Sequence, residues 1–287
     1  NMDVNGGSRD YVSWTFAKNS KFMDIVQYTG DGATSRYIDH ALDNIPGFIL
    51  IKNIDQNGTG WVAIHKNAQT GTASPGQGVC QLNSNHTTIW NLGDTPDAQY
   101  PSLGGPDNRT NQFHVTSNWN NYETSSGAGY LGTNNSGEKY IAYVFAHDES
   151  ENGMIRCGHF STSSNGISPV DEGLNSSNDL GWEPQWLMTK EVCTSTGATK
   201  LLFMQSSTDA LASTVTPGTI SYTGGTVAAS SDNPFTNAVT PYMKLDSTSP
   251  QTTPNSPWIK KTDTGFRIES GNDVNNANQT YIYYAIA

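Results

Sequence analysis

The heptapeptide YIAYVFA at residues 140–146 occurs in two variant forms elsewhere in the chain, as YVSWTFA at 11–17 and as YIYYAIA at 281–287. Each copy begins with Tyr, ends with Ala and contains aromatic and β-branched residues, which favour β-strands. An Asn stands six residues before each leading Tyr, and Asn and Gly are frequent in between. The pattern therefore predicts a turn followed by a strand in all three places.

Other blocks of sequence match between the two halves, and they follow the same order in each half. One shared pattern is Pro, any residue, an aromatic, an aliphatic, two further residues and Lys. A single match between two β-rich segments could arise by chance, but three matches in one order indicate an internal repeat. The matched blocks are 22–29 with 154–161, 46–52 with 184–190, and 60–65 with 200–205.

These matches set the predicted domain boundaries. Residues 1–20 hold the terminal strand of a preceding or partner repeat, and residues 21–146 form the first repeat. A short acidic linker, 147–152, leads to the second repeat at 153–287. The length of 287 residues agrees with about two domains.

The composition favours an all-β fold. Only 14% of the residues are charged, against roughly 25% in an average globular domain, while 10% are aromatic and the chain contains 28 Gly and 13 Pro. Short apolar segments separated by Gly, Pro, Ser and Thr predict two tandem antiparallel β-sandwich repeats of jelly-roll-like type, with almost no helix. Closed β-barrels are the alternative. The predicted strands lie near 22–29, 47–54, 61–66, 86–91, 112–116, 139–146, 154–161, 185–190, 199–205, 219–223, 265–269 and 280–286.

Charge and cysteine content exclude several classes of protein. The formal net charge is −11, and Lys and Arg form no cluster that could bind the phosphates of nucleic acid. No run approaches 18 apolar residues, so the sequence predicts no membrane insertion. The odd number and wide spacing of the three cysteines predict free, buried thiols at Cys80, Cys157 and Cys193.

Motifs for chemistry are missing from the sequence. It contains no Gly-rich phosphate loop, no Gly-x-Ser-x-Gly segment and no histidine pair at zinc-ligand spacing. Most acidic residues lie in Asn- or Gly-rich turns, where they bond to their own backbone. A calcium site in such a turn is the alternative interpretation. We therefore predict no enzymatic activity, no catalytic residue, no metal site and no cofactor.

The aromatic residues suggest a binding role, because sugar rings stack on exposed Trp and Tyr. Four tryptophans lie in or beside the repeated blocks, which indicates core positions: Trp14, Trp61, Trp182 and Trp186. The remaining aromatic candidates lie outside those blocks, and Trp119 is flanked by polar residues. The predicted exposed binding residues are Trp90, Trp119, Tyr122 and Trp258.

The first repeat has a pattern carried by Phe22, Asp24, Val26, Tyr28, Thr29, Gly30, Ile38, His40, Leu42, Pro46, Gly47, Ile49, Lys52 and residues 140–146. This pattern resembles a module of tailed-phage virion proteins of the marine and cyanobacterial type. The second half departs from the pattern, since Arg156 replaces Asp24 and the segment around His40 has no clear counterpart. The resemblance rests on structural motifs and transfers no catalytic residue.

The resemblance implies a location on the virion surface and a structural role in a fibre, knob or decoration, with a host-contact function. It further implies a homo-oligomer, of which the trimer is the typical form, together with contacts to other virion proteins and to a host cell-surface glycan. A carbohydrate-binding module is the alternative function. A depolymerising tailspike enzyme would require a pair of carboxylates across a cleft, which the sequence does not indicate.

Overall fold

The computed structural model describes the chain over 18 ranges. They are 15–57, 59–67, 78–81, 90–91, 101–104, 109–117, 132–150, 153–161, 180–182, 184, 186–191, 201–205, 219–222, 225–228, 242–244, 259–262, 265–268 and 280–287. No residue of these ranges lies in a helix, and every paired strand runs antiparallel to its partner. The protein is therefore an all-β protein with several antiparallel sheets.

Seventeen strands occur in the described ranges, most of them short. In chain order they are β1 (Met23–Thr29), β2 (Arg36–Asp39), β3 (Phe48–Asn53), β4 (Trp61–His65), β5 (Gly78–Gln81), β6 (Trp90–Asn91), β7 (Gln112–Val115), β8 (Lys139–Phe145), β9 (Ile155–Ser161), β10 (Trp186–Glu191), β11 (Leu201–Gln205), β12 (Thr219–Tyr222), β13 (Gly225–Ala228), β14 (Tyr242–Lys244), β15 (Ile259–Thr262), β16 (Gly265–Ile268) and β17 (Thr280–Ile286).

Two large sheets dominate the fold, one from each half of the chain. The first sheet has the strand order β1-β8-β3-β4-β5-β6, and the second has the order β9-β17-β10-β11-β14. Three two-stranded sheets, β2-β7, β12-β13 and β15-β16, complete the described strands. The repeated heptapeptides supply β8 and β17, and each lies between the same two neighbours in its own sheet.

The two large sheets agree in register and in the order of four strands, β1-β8-β3-β4 in one and β9-β17-β10-β11 in the other. Phe48 and Trp186 each lie opposite the sixth residue of the neighbouring heptapeptide, Phe145 in one sheet and Ile286 in the other. The backbone NH of the residue that ends each heptapeptide, Ala146 or Ala287, donates to the carbonyl just before the first strand of its half. The equivalences that the sequence predicted for these blocks therefore hold in the pairing of the strands.

The strands that the sequence did not predict have only three or four residues each: β2, β5, β13, β14 and β15. The predicted segments near 22–29, 47–54, 61–66 and 139–146 are strands β1, β3, β4 and β8. In contrast, β2 has four residues, two of them charged, and pairs with β7 far along the chain. A strand of this length is stabilised by its partner and by the core, so its own sequence carries little signal.

Each sheet has one face packed inside its own half. In the first sheet this back face meets β2, β7 and their connections, with Tyr28 against Phe113 at 6.2 Å between ring centroids. In the second sheet the corresponding face forms a separate apolar cluster, in which Phe266 of β16 lies 5.1 Å from Tyr283. This burial of apolar surface supplies the main stabilisation of both halves.

The repeated Asn before each heptapeptide has a structural role in the one copy that is described. Asn134 is fully buried, and its side-chain amide donates to Asp31 Oδ1 at 2.7 Å and to the Ala33 carbonyl at 2.9 Å. Its own carbonyl accepts from the NH of Gly32, which adopts φ +81°. Asn134 therefore fixes the turn before β8 to the loop after β1.

The terminal segment 11–17 is described only at its end. Residues 15–17 lie outside any named strand, and the position of residues 11–14 lies outside the described ranges. The division into 1–20, 21–146, 147–152 and 153–287 therefore stays a prediction. Cys80 and Cys157 are free and buried, as the sequence predicts, and Cys193 lies outside the described ranges.

Candidate interaction surface

The two large sheets contact each other through one face each, here called their stacking faces. The stacking face of the first sheet carries Ile25, Phe48, Leu50, Tyr143 and Phe145, because these residues lie opposite one another in the register and side chains alternate along strands. The stacking face of the second sheet carries, at the same positions, Cys157, Trp186, Met188, Tyr284 and Ile286. Residues from both faces share a single apolar core.

Aromatic rings form the centre of this contact. Tyr284 lies 5.5 Å from Phe48 and 4.9 Å from Phe145, measured between ring centroids, and Phe48 and Phe145 are 5.8 Å apart. Aromatic pairs at such distances contribute about 0.5–1.5 kcal/mol each beyond the area they bury. The first heptapeptide repeat is thereby joined to the second through their central strands.

The third heptapeptide reaches the same junction. Phe16, its sixth residue, lies edge-on to Trp186 at 6.0 Å and also lies 5.8 Å from Phe22. Trp186 in turn lies edge-on to Tyr284 at 5.3 Å. Side chains from all three copies of the heptapeptide therefore meet beside the stacked sheets.

His65 provides a directional link between the halves. Its Nδ1 accepts from the Asn67 NH at 3.0 Å, so its Nε2 carries the proton and donates to the Tyr283 carbonyl at 3.0 Å. Burial lowers the pKa of His65 to about 3, against 6.5 for an exposed histidine. The imidazole is neutral at physiological pH and bonds across the two sheets.

The buried thiols near this contact have no features of a reactive cysteine. Burial raises the pKa of both Cys80 and Cys157 above the ordinary value of 9.0. A reactive cysteine needs a lowered pKa and access to solvent, and neither thiol has them. Cys80 lines a small cavity with His65 and the buried Lys190, between the two stacking faces.

The predicted linker is held to both halves in the part that is described, 147–150. His147 Nε2 lies 2.6 Å from Glu149 Oε1, and its Nδ1 accepts from the Cys157 NH at 3.1 Å. Lys66, just after β4, reaches the same Glu149 carboxylate at 3.4 Å. These bonds limit the relative movement of the two sheets.

Part of the first stacking face stays open to solvent. Ile25 is 40% exposed, and Leu50, Tyr143 and Ile141 are partly exposed. We call these four residues the open patch. Trp61 borders it, with its ring 6.0 Å from that of Tyr143.

The chemistry of the open patch is apolar. Lys52, which lies opposite Ile141, directs its Nζ to the Asn53 carbonyl and the Thr59 hydroxyl, each at 2.7 Å. Its charge is therefore satisfied within the β3–β4 turn. An exposed apolar group on a rigid sheet is suited to protein contact.

The binding residues predicted from the sequence lie elsewhere. Trp90 is in β6, where its backbone pairs with Val79, and the structure does not describe its side chain. Trp119, Tyr122 and Trp258 lie outside the described ranges. The sequence did not lead to the open patch, although it contained a signal for it. Ile25 and Tyr143 lie on one face of β1 and β8, while Val26 and Ala142 lie on the other, so both faces carry apolar side chains.

Within the described ranges, no group of three or more His, Cys, Asp and Glu side chains could hold a metal ion. A search of the same residues for a helix of membrane-spanning length and hydropathy found none. Comparisons of the chain with protein-family models, with curated proteins and with solved structures gave no significant match.

Proposed function

We propose that this chain is a structural protein of a phage virion appendage, such as a fibre, knob or decoration, built from tandem β-sandwich repeats. The observation that carries the proposal is that four strands have the same order and register in both halves, and that the two sheets stack through equivalent faces. A repeat that packs on its own copy is suited to building an extended or closed assembly.

The surroundings of the contact support a mechanical role. The cross-sheet bond from His65, the aromatic cluster at Tyr284 and the bonded linker at His147 all restrict movement between the halves. Because buried apolar side chains and directional hydrogen bonds act together here, the two halves of the chain are held as one rigid unit, as a component of a virus particle requires. In this proposal the appendage is non-enzymatic, lies on the virion surface and contacts the host.

Immunogold electron microscopy would test this proposal. Antibodies raised against the purified chain should label the tail or appendages of particles of the encoding phage, at positions that repeat around the particle axis. Antibodies against the major capsid protein serve as the control for particle integrity. Capsid labelling without any labelling by the chain's antibodies would contradict the proposal.

A carbohydrate-binding role is the second proposal, and the polar surroundings of Trp119 and Tyr122 favour it. In this proposal the aromatic rings of this Ser- and Asn-rich segment provide a stacking surface, and the polar residues beside them provide hydrogen-bonding groups. A glycan array with the wild-type chain and the variant Trp119→Ala would test it. Binding that Trp119→Ala weakens at least about tenfold would support this role, whereas no binding on any glycan would contradict it.

A further inference from the structure

The two stacking faces differ in burial at five equivalent positions. The second sheet has its side chains at 1–7% exposure: Cys157, Met188, Lys190, Ile282 and Tyr284. The first sheet has partly or largely exposed side chains at the positions that the register makes equivalent: Ile25, Leu50, Lys52, Ile141 and Tyr143. The same face of the same repeat is thus covered in one half and open in the other.

The cover on the second sheet comes from the first. Phe48 and Phe145 lie on Tyr284, while Ala63, His65 and Cys80 line the space beside Met188 and Lys190. The contact is not reciprocal. The first sheet covers Met188 and Tyr284 of the second sheet, but the residues at the equivalent positions of the first sheet, Leu50 and Tyr143, stay partly exposed. An interface of this head-to-tail kind can accept a further copy of the repeat.

The junction already contains part of a third copy. Phe16 holds the same heptapeptide position as Phe145 and Ile286, and it lies against Phe22 of the first half and Trp186 of the second. This position adjoins the stacked faces, and the open patch continues from the same core. A third repeat sheet at this junction would give the first sheet the cover that the second sheet has.

We propose that a second copy of this chain lays one of its sheets on the open patch, as the first sheet lies on the second within the chain. The contact centres on Ile25, Leu50 and Tyr143 and extends the existing core. The inference deepens the proposed function, on whose repeat architecture it rests, by assigning the surface that joins subunits. A contact of this type closes into a ring or extends into a filament.

Multi-angle light scattering over a range of concentrations would test the assembly. At high concentration the wild-type chain should have a mass of at least twice the chain mass. Ile25→Lys and Leu50→Lys, which place a charge in the proposed contact, should each raise the dissociation constant about tenfold or more. Met154→Lys is the matched control, because Met154 is 59% exposed and precedes β9 in the second half of the chain, outside the patch.

The outcomes separate assembly from folding and from function. Ile25 is exposed, so Ile25→Lys should unfold at the wild-type urea concentration when both are measured as monomers. A wild-type chain that is monomeric at all concentrations, or an oligomer that neither variant weakens, would overturn the inference. Assembly through the patch without labelling of phage particles would instead contradict the proposed function and leave this inference standing.

Discussion

The first and second sheets share a backbone plan and differ in what covers them. Both place the heptapeptide strand between equivalent strands, β1 and β3 in the first sheet and β9 and β10 in the second, in the same register. Yet Leu50 in the first sheet is partly exposed, while Met188 at the equivalent position is 7% exposed beneath the other sheet. The comparison teaches that strand pairing and the covering of a sheet face are separate properties of a repeat.

The back faces show a second difference, in which side-chain volumes are exchanged. In the first sheet Val26 lies opposite Ala142, whereas in the second sheet Gly158 lies opposite Tyr283 at the equivalent positions. A Cβ atom added to Gly158 would overlap the ring of Tyr283. In the first sheet the larger side chain of the pair, Val26, lies in β1, whereas in the second sheet the larger side chain, Tyr283, lies in the heptapeptide strand β17.

The largest effect is expected from a charge placed at equivalent positions of the two stacking faces. Met188→Lys would bury an ammonium group beside Lys190 and should lower the free energy of unfolding by about 3–5 kcal/mol. Leu50→Lys can extend to solvent and should cost about 1 kcal/mol or less in the monomer. Urea unfolding followed by tryptophan fluorescence measures both, and equal losses would contradict the difference in burial.

A somewhat smaller effect is expected from restoring the first-sheet pair in the second sheet. Gly158→Val alone overlaps Tyr283, and Tyr283→Ala alone leaves a cavity, so each should cost about 2–4 kcal/mol. The double variant relieves the overlap and fills part of the cavity. Its loss should therefore be about 2 kcal/mol less than the sum of the single losses in a double-mutant cycle.

The control for this cycle combines Gly158→Val with Ile54→Ala. Ile54 is exposed and lies in the other half of the chain, so the two effects should add. Additive losses in the Gly158–Tyr283 cycle itself would show that the two side chains do not exchange volume.

The smallest effect concerns the pH dependence of the contact between the sheets. Burial lowers the pKa of His65 to about 3 in the folded chain, against about 6.5 in the unfolded chain. Between these two pH values the unfolded chain therefore binds a proton at His65 that the folded chain does not bind. The contribution of His65 is complete above pH 6.5 and is lost progressively as the pH falls towards 3. The free energy of unfolding should drop by about 2 kcal/mol from pH 7 to pH 5 through this group.

The variant His65→Gln would sharpen this prediction, because Gln205 holds the equivalent position in the second sheet. Glutamine does not titrate, so the variant should be less stable at pH 7 yet lose less stability on acidification. Urea midpoints at pH 5, 6 and 7 give the comparison. If the urea midpoint of the variant falls with decreasing pH as steeply as that of the wild type, His65 is not the source of the acid sensitivity.

Strand positions were largely predictable from local sequence, and the exceptions have a physical cause. The aromatic and β-branched residues of 139–146 and the alternation of 22–29 specify β8 and β1 without reference to the rest of the chain. β2 escaped prediction because Arg36 and Asp39 flank a short segment whose partner, β7, is brought to it only by folding. Local pattern carries no information about such a partner.

The candidate surface shows the same division. The sequence marked tryptophans by their polar surroundings, whereas the open patch consists of Ile25, Leu50, Ile141 and Tyr143, which have the character of core residues. An apolar face on a strand predicts that something covers it. Whether the cover is another strand of the chain or another molecule depends on the packing of whole sheets.

The order of residues was sufficient to establish most of the longer strands and the match of Phe48 with Trp186, because alternation along a strand and repetition between two segments can both be read from the sequence. The stacking of the first sheet on Tyr284, the bond from His65 to Tyr283 and the open patch beside them emerged from three-dimensional packing. These contacts join residues more than 100 positions apart, as in the case of His65 and Tyr283. Burial at such a distance is set by how faces fit together, which the alternation of side chains along one strand does not encode.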